Sequence, residues 1–296
     1  MVPWPLHYEP PLFRPPSEAN SLILQLTLGC SWNRCTYCGM YRNKEYRVRP
    51  LDEVLREIRD LAPFGQRFRR VFLADGDALA APAEVLTAVL EEIREHLPWV
   101  QRVGIYGESR SILRHGVGGL RALRELGLGI VYFGAESGDD VTLREIRKGA
   151  TRRRQIEACH LIREAGIKSS VMVLLGLAGV AGSERHATAT GTFLAESSPT
   201  YAAALTVTPV PGTELDQAIR DGSFELPDRW GMLQELSWML ESIDGYHGPF
   251  HANHASNYLP LKLRLPRDRR SAIEKIRAIL GSRDDSLLKP EWARGL

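Results

Sequence analysis

Leu22-Ile-Leu-Gln-Leu-Thr-Leu28-Gly29-Cys30-Ser-Trp-Asn-Arg-Cys35-Thr-Tyr-Cys38 is the stretch whose reading decides the fold. An apolar strand candidate runs directly into a loop that carries three cysteines in the spacing C-x4-C-x2-C. Five more segments resemble that strand: Arg70–Ala74, Arg102–Tyr106, Gly129–Gly134, Ser169–Leu175 and Ala202–Val207. They are short and rich in Val, Ile and Leu, as strands buried on both faces are. Helical spacing fills the gaps. Leu51, Val54, Leu55, Ile58 and Leu61 follow Pro50, and Val85, Leu86, Val89, Leu90 and Ile93 follow Pro82. Leu120, Leu123 and Leu126 precede Gly127, Ile156, Cys159 and Ile162 precede Gly166, and Arg185–Ser197 makes a fifth helix. Strand–helix alternation predicts a parallel α/β fold. Six units fall short of the eight that close a barrel, and the periodicity fits both an open partial barrel and a doubly wound sheet.

Outside this core, residues 1–20 read as an extended arm, with prolines at 3, 5, 10, 11, 15 and 16. The core spans 21–208. From 209 to 296 the pattern predicts an α-rich extension that caps the core: a turn at Pro209–Thr213, a short helix to about Arg220, a helix near Asp228–Ile243, and a basic amphipathic helix over Arg267–Ile279. Gly245–Leu261 has no clear period.

The whole chain has 296 residues, 44% of them hydrophobic and 25% charged, enough to build a core without covalent staples. Its 38 basic and 36 acidic residues leave a net charge of +2, which gives no electrostatic reason to expect a nucleic-acid or membrane partner. No uncharged apolar run approaches the ~18 residues of a membrane span, and with no basic n-region and apolar h-region at the start a secretory leader is not expected. A cytoplasmic protein is expected, in which four sparse cysteines serve as ligands or nucleophiles before they serve as bridges. Thiolates gathered on one loop suit zinc or an iron–sulfur cluster. A structural zinc site wants a fourth Cys or His, and the nearest in sequence is His7. Three ligands to a four-iron cluster leave one iron open to a small molecule. Three packed cysteines are the plainest alternative.

With strand and cysteines read, the sequence resembles the radical S-adenosylmethionine (SAM) superfamily, whose usual motif is C-x3-C-x2-C; this chain has one more residue in the first gap. The resemblance implies a partial (β/α)6 TIM-type barrel and a [4Fe-4S] cluster on Cys30, Cys35 and Cys38. SAM would chelate the open iron and be split reductively to methionine and a 5′-deoxyadenosyl radical, which takes hydrogen from a small-molecule substrate. An external one-electron donor, flavodoxin- or ferredoxin-like, is implied with it. Chemistry in such folds sits at the C-terminal ends of the strands. There, Asp75-Gly76-Asp77 occupies the place of the family's glycine-rich motif, and Arg110 follows the third strand. Glu136-Ser137 is similar to the SAM-facing segment of the coproporphyrinogen-oxidase-like and elongator-like branches. Lys148 matches their basic residue for the SAM carboxylate, Gly176 their adenine-side glycine, and Tyr37 an aromatic position that packs on adenine.

Phe250–Tyr258 gathers His251, His254 and Tyr258, with Asn253 and Asn257 between, and is the candidate substrate-facing or proton-donating segment. His186 shares a helical face with Thr190 and reads as a structural histidine; Cys159 lies on an apolar stripe and reads as a core thiol. Arg152–Arg154 and Arg267, Arg269 and Arg270 read as solvated helix faces. One spare cysteine does not make a second cluster, and too few residues remain for a cobalamin domain. The remaining alternatives are transfer of a SAM-derived group and a non-catalytic iron–sulfur or zinc protein.

Overall fold

A computed structural model describes residues 4–295; the first three residues of the expected arm and Leu296 lie outside the described residues. Ten strands and nine α-helices are present among them. In chain order they are β1 (Leu22–Gln25), β2 (Thr27–Leu28), β3 (Arg47–Val48), α1 (Leu51–Asp60), β4 (Arg70–Ala74), α2 (Ala83–His96), β5 (Arg102–Tyr106) and α3 (Ser109–Glu125). There follow β6 (Leu128–Glu136), α4 (Asp140–Glu145), α5 (Arg152–Glu164), β7 (Lys168–Leu175), α6 (Gly179–Ser197), β8 (Tyr201–Thr206) and α7 (Glu214–Arg220). The chain ends with α8 (Arg229–Ser242), β9 (Gly248–Ala252), β10 (Leu261–Leu265) and α9 (Arg269–Ser282). Eight of the strands belong to one main sheet, and β2 pairs with β3 separately.

The residues divide into two units. The first holds residues up to Asn33, Met40–Phe133 and Leu161–Ser169. In it β1, β4, β5 and the first part of β6 lie side by side and parallel. Phe72, Leu73, Val103, Ile105, Ile130 and Val131 are buried along them. Helix α1 packs on α2, and Val54, Ile58, Leu86 and Leu90 are buried along the apolar stripes expected from the spacing. Helix α3 is broken at Gly116, whose φ of 59 and ψ of −179 leave the helical region.

The second unit holds Arg34–Gly39, Gly134–His160 and the residues from Ser170 on. There β7 and β8 are parallel, β9 adds parallel to β8, and β10 closes antiparallel on β9 with Leu261 opposite Ala252. Along β10, Leu261 and Leu265 are buried whereas Lys262 and Arg264 are exposed. Helix α8 packs along α6, with Met239 and Leu240 fully buried.

Each expected strand is present. β4 and β5 match to the residue, β1 stops at Gln25, and β6 extends two residues beyond Gly134. Three features correct the sequence reading. Gly245–Leu261 contributes β9, α3 begins eleven residues before Leu120, and α6 begins at Gly179 rather than Arg185. The basic clusters are largely exposed, as expected, with Arg152 and Arg269 the more covered members. Arg152 donates to Ala189 O at 2.5 Å and pairs with Glu196, and Arg267, Arg269 and Arg270 pair with Asp268, Asp244 and Glu274.

Candidate functional site

Four residues at strand ends share a backbone signature. Gly29 follows β2, Asp75 follows β4, Glu136 closes β6 and Gly176 follows β7, with φ of 73, 76, 67 and 90. Positive φ is costly for any residue with a Cβ, although Asp and Asn tolerate it better than most. Two non-glycine residues held there at strand ends mark sites where geometry takes precedence over local comfort.

In the first unit the Cys30 turn is built from below. Asp75 is fully buried, and its Oδ2 accepts the Gly29 N–H at 2.8 Å and pairs with Lys44 Nζ at 2.7 Å. Its Oδ1 accepts from the Gln25 amide at 3.3 Å. Gly76 N–H in turn donates to Gly29 O at 2.9 Å. A Cβ on Gly76 would stand 2.7 Å from that of Cys30, so only glycine lets the two turns meet. Asp75 is thus spent on holding the cysteine turn.

Asp77 faces the other way. Its Oδ2 accepts from Ser31 Oγ at 2.5 Å, next to Cys30 in the chain, and its Oδ1 accepts from Ser111 Oγ at 2.7 Å and Glu108 N at 3.1 Å. Burial, and then the nearby Glu108 carboxylate, push Asp77 up to about 6. The folded protein therefore holds this proton more tightly than the unfolded chain, and stability falls as pH rises from about 4 to about 6. Asp77→Asn is expected to remove that slope and to stabilise the cofactor-depleted protein at pH 7 by roughly 2–3 kcal/mol. Urea melts of both proteins across that pH range test this; equal slopes would show that Asp77 titrates normally.

Arg110 stacks its guanidinium 3.9 Å from the centre of the Trp32 ring, inside the cysteine loop. Its Nη2 is buried with no hydrogen-bond partner among the described residues, as a donor awaiting an anion would be. Tyr46, whose hydroxyl is likewise buried, is pushed up to about 12 by burial and by Asp77.

In the second unit Thr36 N–H donates to Ile146 O at 3.0 Å, and Leu215 N–H donates to Thr36 O at 3.1 Å. The backbone carrying Cys35, Tyr37 and Cys38 is therefore pinned from two sides. Lys148 is 2% exposed, contrary to a solvated end-of-helix residue, and its Nζ lies 3.4 Å from Glu136 Oε1. A buried ammonium beside a buried carboxylate is complementary to the carboxylate and ammonium of an amino acid. Ser137, next in the chain, bonds through Oγ to His186 Nδ1 at 2.8 Å. His186 and Cys159 are buried, as expected.

The Phe250–Tyr258 segment divides. His251 lies on β9, exposed and opposite Lys262. His254, Ser256, Asn257 and Tyr258 form a loop joined to the C-terminal end of β8, where Asn257 Oδ1 accepts from Thr206 Oγ1 at 2.8 Å and Ser256 Oγ from Thr206 N at 3.1 Å. His254 Nδ1 accepts from Ser256 N at 3.2 Å, which fixes the tautomer and leaves an Nε2–H donor. Burial and Lys289 hold its ring below the usual range, so it stays neutral. Tyr258 OH is engaged by Glu291 and Arg294. Lys44, Trp32, Ser31 and Tyr46 are not singled out by the sequence because nothing in their spacing marks them, whereas Glu108 stands in the polar segment that follows the third strand.

Among the described residues no three His, Cys, Asp or Glu side chains are preassembled at ligand distance. The fit to an iron–sulfur cluster rests on the donor set and its setting: three half-buried thiols in nine residues, a turn that only Gly76 permits, and backbone already anchored. That donor set, on the loop after the first strand of an α/β repeat with polar groups at the following strand ends, defines an iron–sulfur protein of the α/β-barrel class. The model of the radical SAM superfamily matches residues 24–190, more than half of the sequence, and the chain belongs to that superfamily. Its members are enzymes whose cofactors are a [4Fe-4S] cluster and SAM.

A curated protein of Methanocaldococcus jannaschii named as a methylthiotransferase is 24% identical over 158 residues, which cover 50% of this chain and 33% of that protein. Coproporphyrinogen III oxidase (HemN) from Escherichia coli superposes with a TM-score of 0.59 at 19% identity, over 75% of this chain and 52% of HemN. The radical SAM methyltransferase TsrM from Kitasatospora setae gives 0.58 at 19%, over 68% of this chain and 39% of TsrM. These likenesses show the fold, a partial barrel, to which β9 and β10 add. The chain spans only about a third of the curated relative's length.

Proposed function

We propose that the protein is an enzyme that cleaves SAM reductively and takes a hydrogen atom from a small polar substrate. Cys30, Cys35 and Cys38 hold the cluster; an external flavodoxin- or ferredoxin-like donor, in the cytoplasm, reduces it. When bound, the cluster and SAM supply the cleavage to methionine and a 5′-deoxyadenosyl radical.

This chain's own residues bind and orient. Lys148 takes the SAM carboxylate, Glu136 the amino group or ribose, and Asp77 with Gly76 the amino group from the other strand end. Tyr37 and Gly176 flank the adenine, and Arg110 receives a carboxylate. Asp75 acts on the Cys30 turn and not on SAM, because its acceptor sites are already used. Neutral His254 offers its Nε2–H to the substrate, while Ser256 and Asn257 fix the loop. Tyr258 supports that loop through Glu291 and Arg294; His251 lies on the strand at its base.

The observation that carries hydrogen abstraction over group transfer is Cys159. A methyl group relayed through a protein thiol needs an accessible cysteine, and the one cysteine outside the cluster motif is 1% exposed on α5. Reduced, anaerobically reconstituted protein is therefore expected to convert SAM to 5′-deoxyadenosine and methionine in equal amounts. S-adenosylhomocysteine as the main product would move the reading to methyl transfer. Neither product from protein with a full cluster would leave a non-catalytic iron–sulfur role.

A further inference from the structure

Glu235 is a carboxylate buried where an apolar residue would suffice. It lies on α8, beyond the residues matched by the superfamily, among Met232, Leu233 and Leu236, and is 0% exposed. Its Oε1 accepts the Gly176 N–H at 2.7 Å, and its Oε2 accepts from Ser183 Oγ. His186 Nε2 stands 3.4 Å from the same Oε1 and 3.0 Å from Leu174 O. On its other side His186 Nδ1 meets Ser137 Oγ, which already accepts the Asp139 N–H at 2.9 Å. The bonds have one consistent direction. Ser137 donates its O–H to Nδ1, so the proton on Nε2 points at Leu174 O and Glu235.

Desolvating a carboxylate costs several kcal/mol unless donors surround it. A helix that only had to pack on α6 would place leucine or methionine here. What the carboxylate adds is a connection between two turns. One is Leu175-Gly176, where φ of 90 and the close approach of Met232 restrict the position to glycine. The other is Glu136-Ser137, with its strained Glu136. Each turn is a candidate SAM contact, and each is one or two hydrogen bonds from Glu235.

We infer that Glu235, acting through Gly176 and His186, is a positioning residue for SAM: it fixes the β6 and β7 turns relative to each other and makes their geometry depend on α8. The inference rests on the reading that those turns hold SAM.

The test uses full-length reconstituted protein and two probes, SAM and free methionine, titrated anaerobically, with iron content and Tm measured alongside. Glu235→Gln keeps an acceptor for Gly176 but puts an amide nitrogen where the second oxygen accepted from Ser183 and leaves a weaker acceptor facing His186 Nε2. It is expected to weaken SAM binding about tenfold or more, in the range of outer-shell partners elsewhere, at unchanged iron content, and to weaken free methionine, which has no adenosyl group to meet the Gly176 turn, by less. Ser183→Ala removes only the donor to the other oxygen and is expected to lower Tm without changing SAM affinity. SAM binding by Glu235→Gln equal to wild type overturns the inference, as does a loss in both variants that merely follows Tm. If Glu235→Gln does not fold, His186→Asn breaks the chain one bond further along and must weaken SAM in the same way. Wild-type protein that fails to bind SAM would instead overturn the functional reading itself.

Discussion

Cys35→Ala is expected to abolish cluster assembly. Wild-type protein reconstituted without oxygen should take up about four irons per chain, as a single four-iron cluster requires; the variant should retain less than one, and 5′-deoxyadenosine should fall to background. The reason is local. Thr36 is bonded to Ile146 on one side and Leu215 on the other, so the substitution removes a ligand while the backbone that carried it stays in place. Cys159→Ala is the control. That thiol is buried in α5, and its loss should leave iron and product as they were. A Cys35→Ala protein that keeps both would contradict the ligand assignment. One tightly held zinc in the wild type would return the loop to the structural-metal reading.

Lys44→Met should give the largest loss of stability. Lys44 and Asp75 are 4% and 0% exposed at 2.7 Å, and Lys44 also donates to Glu9 O at 2.5 Å and Pro11 O at 3.2 Å. Removing one partner of a buried pair costs about 3–5 kcal/mol, because the remaining charge is stranded in a dry interior. Lys44→Met with Asp75→Asn should recover much of that loss, since asparagine tolerates the positive φ and carries no charge. Chemical denaturation measures both; a single-variant loss under about 1 kcal/mol, the scale of a surface pair, would mean that the pair is screened by water. Iron uptake should fall with Lys44→Met as well, because Asp75 holds Gly29 immediately before Cys30.

These two substitutions differ in how far the sequence discloses them. The cysteines are legible because their chemistry is contained in nine consecutive residues, and the strands because burial on both faces writes a continuous apolar run. β4 and β5 could be read to the residue for that reason. Helix α3 could not, because Arg-His-Gly-Val-Gly-Gly offers no stripe before Leu120. β9 is hidden because it is only five residues long, opens on Gly248-Pro249 and buries only Phe250 and Ala252, too short an alternation to mark a strand. Lys44 meets Asp75 from 31 residues away and Glu235 meets Gly176 from 59. No local spacing records such partners, and their identity emerges only when packing removes the water around them. Lys148 is half legible: the motif after the short helix marks it as a candidate, but its burial beside Glu136 emerges only in the structure.

Strand β10 carries a consequence of another kind. It pairs with β9 on one side and ends the strand order on the other, with Lys262 and Arg264 exposed along it. A second copy approaching edge to edge and antiparallel about Leu263 would set Lys262 of each chain against Arg264 of the other. Two such juxtapositions of like charge oppose the hydrogen-bonded ladder that open sheets otherwise invite. The sheet thus carries its own deterrent to self-association at the edge where β10 has no neighbouring strand among the described residues, and that deterrent weakens as salt screens the cations.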